Sequence, residues 1–172
     1  MKETVKMVGD LMKLSARTAP KARGNDFVEV KIVEGEKLEQ MAEEMLKYSK
    51  GTNKRSFYER NAKNLRETDA VFLISLNKAK TAGLDCGACG FDKCSELKLR
   101  KGPEFDGGIC AWRLIDLGIA LGSAVKTAGS LNVDNRIMYT VGVVAKRLGL
   151  IQGEIVVGVP LSATGKNIYF GG

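Results

Sequence analysis

Cys86, Cys89, Cys94 and Cys110 are the only cysteines of a 172-residue chain that contains no histidine. They fall in one stretch, DCGACGFDKC and onward to GGIC, spaced C-x2-C-x4-C-x15-C. Four thiolates brought together by two short hops and one longer loop can enclose a metal centre, and four-cysteine sets are the usual coordination of iron–sulfur clusters. Three other readings compete. A structural zinc site also takes four cysteines but favours two C-x2-C knuckles, and only Cys86–Cys89 has that form. Two disulfides would suit a small secreted framework, and the sequence shows no export signal. Free thiols packed as small hydrophobes would be scattered through a core rather than gathered beside glycines.

The intervening residues favour a cluster. Gly87 and Gly90 let the backbone turn so that N–H groups can face sulfur, while Ala88 and Phe91 supply apolar cover. Lys93 and Lys98 could offset cluster charge. Gly102-Pro103 and Gly107-Gly108 read as a loop that returns Cys110 to the others. The pattern resembles the compact four-iron, four-sulfur domain in which C-x2-C-x4-C is followed by a cysteine roughly sixteen residues on. That resemblance implies one [4Fe–4S] cluster on Cys86, Cys89, Cys94 and Cys110.

The elements that must position these cysteines are legible in the hydrophobic pattern. Val5, Val8, Leu11, Met12 and Leu14 recur at helical spacing up to Pro20, and Val28, Val30 and Ile32 alternate as a strand that ends at Gly35. Leu38, Met41, Ala42, Met45 and Leu46 mark a second helix closed by Gly51, and a more polar one spans Tyr58 to Glu67. Ala70 to Leu76 is unbroken apolar, as in a strand buried on both faces. After the cysteines, the segment from Cys110 is apolar nearly all round apart from Arg113, Asp116 and Lys126, which predicts a central helix. SLNVDN reads as a turn, Ile137, Val141, Val144 and Leu148 as another helix, and Glu154 to Pro160 as the last strand. The order predicts mixed α/β layers, class α+β.

The length supports one hydrophobic core, so residues 1–172 read as a single domain carrying a cluster-binding segment over 84–111. No apolar run reaches membrane-spanning length, which predicts a soluble, cytoplasmic protein with no membrane partner. The formal charge of +7 invites a nucleic-acid reading. The basic residues are spread along the chain without interleaved aromatics, which argues against it. A cluster on four thiolates and a flavin phosphate would each contribute about −2, leaving roughly +3.

Outside the cysteines, SARTAPKARGND, LIDLGIALGSAVKTAG and IVVGVPLS resemble, in that order, the loop beside the flavin, the central helix and the last strand of the flavin-dependent nitroreductases. RTAPKARGND, the cysteine segment, VDNRIMYTVG and GVPLSATGKNIYF together resemble an uncharacterised family described as containing a ferredoxin domain, across nearly the whole chain. The chain departs from that pattern at its end, where Phe170-Gly171-Gly172 stands in place of an acidic residue and an arginine.

The resemblance implies a nitroreductase-like scaffold that binds FMN. It places Arg17, Thr18, Lys21 and Asn25 near flavin phosphate or ring edges, and Asn61 and Lys63 on the ring. Asn135 and Arg136 fall in the turn that approaches the ring with backbone amides. Lys166 and Asn167 match the basic stretch near the ribityl phosphate. Phosphate recognition needs such cations and donors, and a cation at the flavin N1–C2=O edge raises its electron affinity. Gly165-Lys166 is no P-loop, since the glycine spacing and the following Ser or Thr are missing.

Three functions follow. The first is an FMN-dependent oxidoreductase coupled to a [4Fe–4S] cluster, which the scaffold implies is a homodimer served by a redox partner protein. The second is a ferredoxin-like electron carrier without flavin, and the third a structural four-cysteine zinc domain. With no histidine, proton transfer would fall to flavin, water, Tyr or a carboxylate.

Overall fold

The computed structural model describes residues 1–170; Gly171 and Gly172, where the sequence departs from the family pattern, lie outside the described residues. Five helices pack on two faces of one four-stranded sheet. Helix α1 (Lys2–Thr18) buries Val5, Val8, Met12 and Ala16 and ends ahead of Pro20, whose ring cannot continue it. Strand β1 (Val28–Glu34), helices α2 (Glu36–Ser49) and α3 (Arg55–Arg66) and strand β2 (Ala70–Leu76) follow where the periodicity predicts them. Helix α4 (Ala111–Ser130), strand β3 (Asp134–Asn135), helix α5 (Tyr139–Arg147) and strand β4 (Ile155–Ser162) complete the chain. The sheet order is β1-β2-β4-β3, every pair antiparallel.

The unbroken apolar character of β2 has a simple cause. Successive side chains of a strand point to opposite faces. Phe72, Ile74 and Leu76 enter the core under α1 and α4, whereas Val71 and Leu73 enter the core under α2, α3 and α5. The second layer closes tightly at Gly142 of α5, where an added Cβ would stand 1.9 Å from the Val156 carbonyl oxygen.

Two features differ from the sequence reading. SLNVDN is not all turn, because Asp134 and Asn135 pair with Ser162 and Leu161 as a short edge strand. Helix α4 is central, yet two of its three charges face inward with Leu117, Ala120, Ala124 and Ala128: Arg113 is 1% and Asp116 4% exposed, while Lys126 is exposed and Ile115 and Ile119 are 46% and 42% exposed. Among the described residues no helix is long and apolar enough to cross a membrane.

The sheet also sets distances. Arg17 donates to the Val28 carbonyl, and Val28 faces Leu76, so the loop after α1 lies at the end of the sheet from which the cysteine segment leaves. Ala163 donates to Asp69 and Ala70 faces Leu161, so residues 163–170 lie at the opposite end. Seven-residue strands separate the two ends by about 20 Å at 3.4 Å per residue.

Candidate metal centre and its surroundings

Between β2 and α4 the chain has little regular structure, only a single 3-10 turn over Cys94–Glu96. Its shape comes from local devices. Gly87 (φ 72°) and Gly90 (φ 86°) adopt the left-handed backbone that their type permits, and the Gly90 N–H closes a turn on the Gly87 carbonyl at 2.9 Å. Asp85 accepts the Cys94 N–H at 2.7 Å and thereby ties the third cysteine to the start of the motif. A two-residue bridge between Arg100 and Gly107 folds the return loop into a small hairpin.

The four cysteines meet on one narrow cavity with almost wholly apolar walls, supplied chiefly by Ala82, Leu84, Ala88, Phe91 and Trp112. All four are free thiols: Cys110 is buried, Cys89 and Cys94 half-buried and Cys86 exposed. Trp112 donates its indole N–H to Cys86 Sγ at 3.3 Å. The Ala88 N–H and then that indole hold the Cys86 thiol below its ordinary pKa. Cys110 caps the N-terminus of the 20-residue α4, where the helix dipole favours negative charge. Lys93 and Lys98 are both exposed.

Among the described residues no three His, Cys, Asp or Glu side chains are so close-set that one metal ion could hold them. Four thiols around a shared apolar cavity, with N–H donors and a helix N-terminus facing them, fit an anionic metal centre.

The return loop is anchored by acids that the sequence reading passed over. Glu104 accepts from Tyr58 at 2.7 Å, from Lys54 at 2.9 Å and from Tyr48 at 3.3 Å. Asp106 is paired with Lys101 at 3.0 Å and Lys146 at 3.2 Å. Burial raises both carboxyl pKa values, and the lysines, joined at Glu104 by Tyr58, outweigh it and hold both below the ordinary range.

The residues that the flavoprotein resemblance singles out fall into separate groups. At the cysteine end, Arg17 pairs with Asp26, Thr18 bonds back to the Leu14 carbonyl and Asn25 is exposed. Lys21 turns inward to the Ala16 and Arg17 carbonyls at 2.6 and 2.8 Å, closing the C-terminus of α1. At the opposite end, Lys63, Lys166 and Asn167 line one cleft, and Arg60, which the sequence reading missed, joins them. Asn167 donates to Asp134 at 3.0 Å and Arg136 to the Tyr169 carbonyl at 2.6 Å. Asn135 bonds the Val133 carbonyl at 3.0 Å. Asn61 is buried and donates to Thr140 at 2.8 Å, while its Oδ1 has no partner. The chain thus brings Lys63, Lys166 and Asn167 together but keeps them a sheet length from Arg17, Lys21 and Asn25.

Comparison with known proteins bears on both parts. Residues 106–171 match the model of a family described as uncharacterized proteins containing a ferredoxin domain. An uncharacterized protein of Archaeoglobus fulgidus is 48% identical over 170 residues, covering 98% of this chain and 91% of that protein. In structure the chain is similar to a nitroreductase with bound FMN from Desulfitobacterium hafniense (TM-score 0.61, 17% identity, 93% of this chain and 78% of that one). It is also similar to the FMN-dependent nitroreductase of Mycobacterium smegmatis in complex with NADPH (TM-score 0.58, 9% identity, 93% and 78%). At these identities the likeness establishes a nitroreductase-like fold.

Proposed function

This chain belongs to the family of uncharacterised proteins that contain a ferredoxin domain, and from that premise we propose that it is a redox protein whose Cys86, Cys89, Cys94 and Cys110 hold a [4Fe–4S] cluster. The observation that carries the reading is the convergence of the four thiols on one apolar cavity at the N-terminus of α4. Residues 84–111 are then the cluster-binding segment of a single nitroreductase-like domain. Free thiols in a ligand set suit the reducing conditions of a cytoplasm.

We infer further that the protein is an FMN-dependent oxidoreductase assembled as a two-fold dimer. The two groups of candidate flavin residues lie at opposite ends of the sheet, so a two-fold operation that sets protomers side by side and antiparallel would bring the Arg17–Asn25 loop of one to the Lys63–Lys166 cleft of the other. Met7, Leu11 and Leu14 of α1, with Ile115 and Ile119 of α4, are exposed apolar side chains of the kind such an interface covers. In that arrangement Lys166, Lys63 and Arg60 would neutralise phosphate, and the exposed Asn25 would offer a donor to the ring edge. The cluster supplies one-electron transfer and the flavin its conversion to two-electron chemistry.

One observation favours a carrier without flavin. Arg17, Lys21, Arg136 and Asn167 already have partners within their own chain, so a flavin would have to displace some of them. Cofactor content separates the readings. Anaerobically purified protein should contain about four irons and four sulfides per chain and lose both in Cys110→Ser. Iron and sulfide without FMN would select the carrier; stoichiometric zinc from iron-replete, oxygen-free expression would refute the cluster.

A further inference from the structure

Arg113 is among the largest fully buried side chains of the protein, and neither the cluster nor the flavin reading uses it. It lies three residues beyond Cys110 and one beyond Trp112, in the first turn of α4. Its guanidinium meets three separate segments. Nε donates to the Lys80 carbonyl at 2.9 Å, just ahead of Ala82 in the cavity wall. Nη1 donates to Asp116 and to the Ala22 carbonyl, both at 2.9 Å, and reaches the Asn25 carbonyl at 3.4 Å. The Phe27 ring covers it, with its centroid 4.9 Å away. Asp116 completes the grip by accepting the Ala22 N–H at 2.7 Å, so the pair holds both backbone polar groups of Ala22.

A buried charge is costly unless it is paired and its donors are used. This one is placed where the entry to the cysteine segment, the helix that carries the fourth cysteine and the loop after α1 converge. We propose that Arg113, with Asp116, is a positioning residue that couples occupancy of the cysteine centre to the order of the loop over residues 17–26. The inference rests on the cluster reading. Metal on Cys110 fixes the first turn of α4, the guanidinium moves with that turn, and the loop is held at Ala22 and Asn25 only while the guanidinium is in register. A lysine cannot replace it, because a single ammonium lacks the planar fork that reaches Lys80 on one side and Ala22 on the other.

The test is amide hydrogen exchange on the full chain, anaerobic, with the cluster loaded and after its removal by a chelator. In the wild type, loading should slow exchange over residues 19–26 by about tenfold and leave α2 unchanged. Arg113→Lys should keep its iron while the difference at 19–26 shrinks to about twofold or less. Asp116→Asn serves as the second variant should Arg113→Lys fail to fold, and the same loss of response is expected. Wild type that holds no iron refutes the cluster reading on which the coupling rests. Iron held with no response at 19–26, an equal response in the variants, or one that spreads equally over α2 refutes the coupling itself.

Discussion

Glu104→Ala should release the loop that returns the fourth cysteine, and its cost can be worked from the contacts. The Tyr58 side chain is fully buried and gives its hydroxyl to Glu104 at 2.7 Å. Removing the acceptor strands that hydroxyl, at about 1–3 kcal/mol. The Lys54–Glu104 pair, whose lysine side chain is 44% exposed, adds about 0.2–1 kcal/mol. The expected loss is about 1–4 kcal/mol, against at most about 1 kcal/mol for Glu104→Gln, which keeps an acceptor for Tyr58. Urea unfolding at matched iron content reads it as a lower midpoint at unchanged slope. Because Phe105 and Asp106 follow directly, the alanine variant should also lose iron faster to a chelator than the wild type does. A midpoint within about 0.5 kcal/mol of the wild type, or equal losses in Ala and Gln variants, would refute the latch.

The same contact sets a pH dependence. The Glu104 carboxyl is held below its ordinary value, so its contribution is complete above the unfolded pKa and is lost as pH falls through the folded one; Glu104→Gln should flatten the acid limb of a stability–pH curve. Burial and Glu104 push the Tyr58 phenol far upward, so stability should fall as pH rises past about 10, where the unfolded phenol ionises, and Tyr58→Phe should shrink that limb and leave the part that the raised Tyr48 and Tyr169 phenols contribute. Lys166→Ala should weaken FMN binding about ten- to a hundredfold while leaving riboflavin binding and iron content unchanged; equal losses for both flavins would mean damage to the fold. Gly142→Ala should cost about 1–3 kcal/mol or more in urea, since the new methyl meets the Val156 backbone rather than a movable side chain. Light scattering should give a dimer at micromolar concentration, and a monomer would count against the shared flavin site.

Much of the molecule was legible before its structure. Apolar spacing located all five helices and three of the four strands, because period 3.6 and period 2 are backbone properties that a sequence displays directly. The cysteine spacing marked four residues that the fold gathers on one cavity, because short hops and flexible glycines keep them near one another. The rest depended on partners. Arg113 and Asp116 read as the polar exceptions on an apolar helix and lie inside it, since the Lys80, Ala22 and Asn25 backbone groups that pay for their burial come from distant segments. Glu104 carries no local mark; its place follows from Tyr48, Tyr58 and Lys54 on helices α2 and α3 and the turn between them. The candidate flavin residues form one set by resemblance, and the antiparallel register places Arg17, Lys21 and Asn25 a sheet length from Lys63, Lys166 and Asn167. Local chemistry determines which residues can ligate or turn, but distance and burial belong to the tertiary fold, because both are set by contacts between segments far apart in the chain.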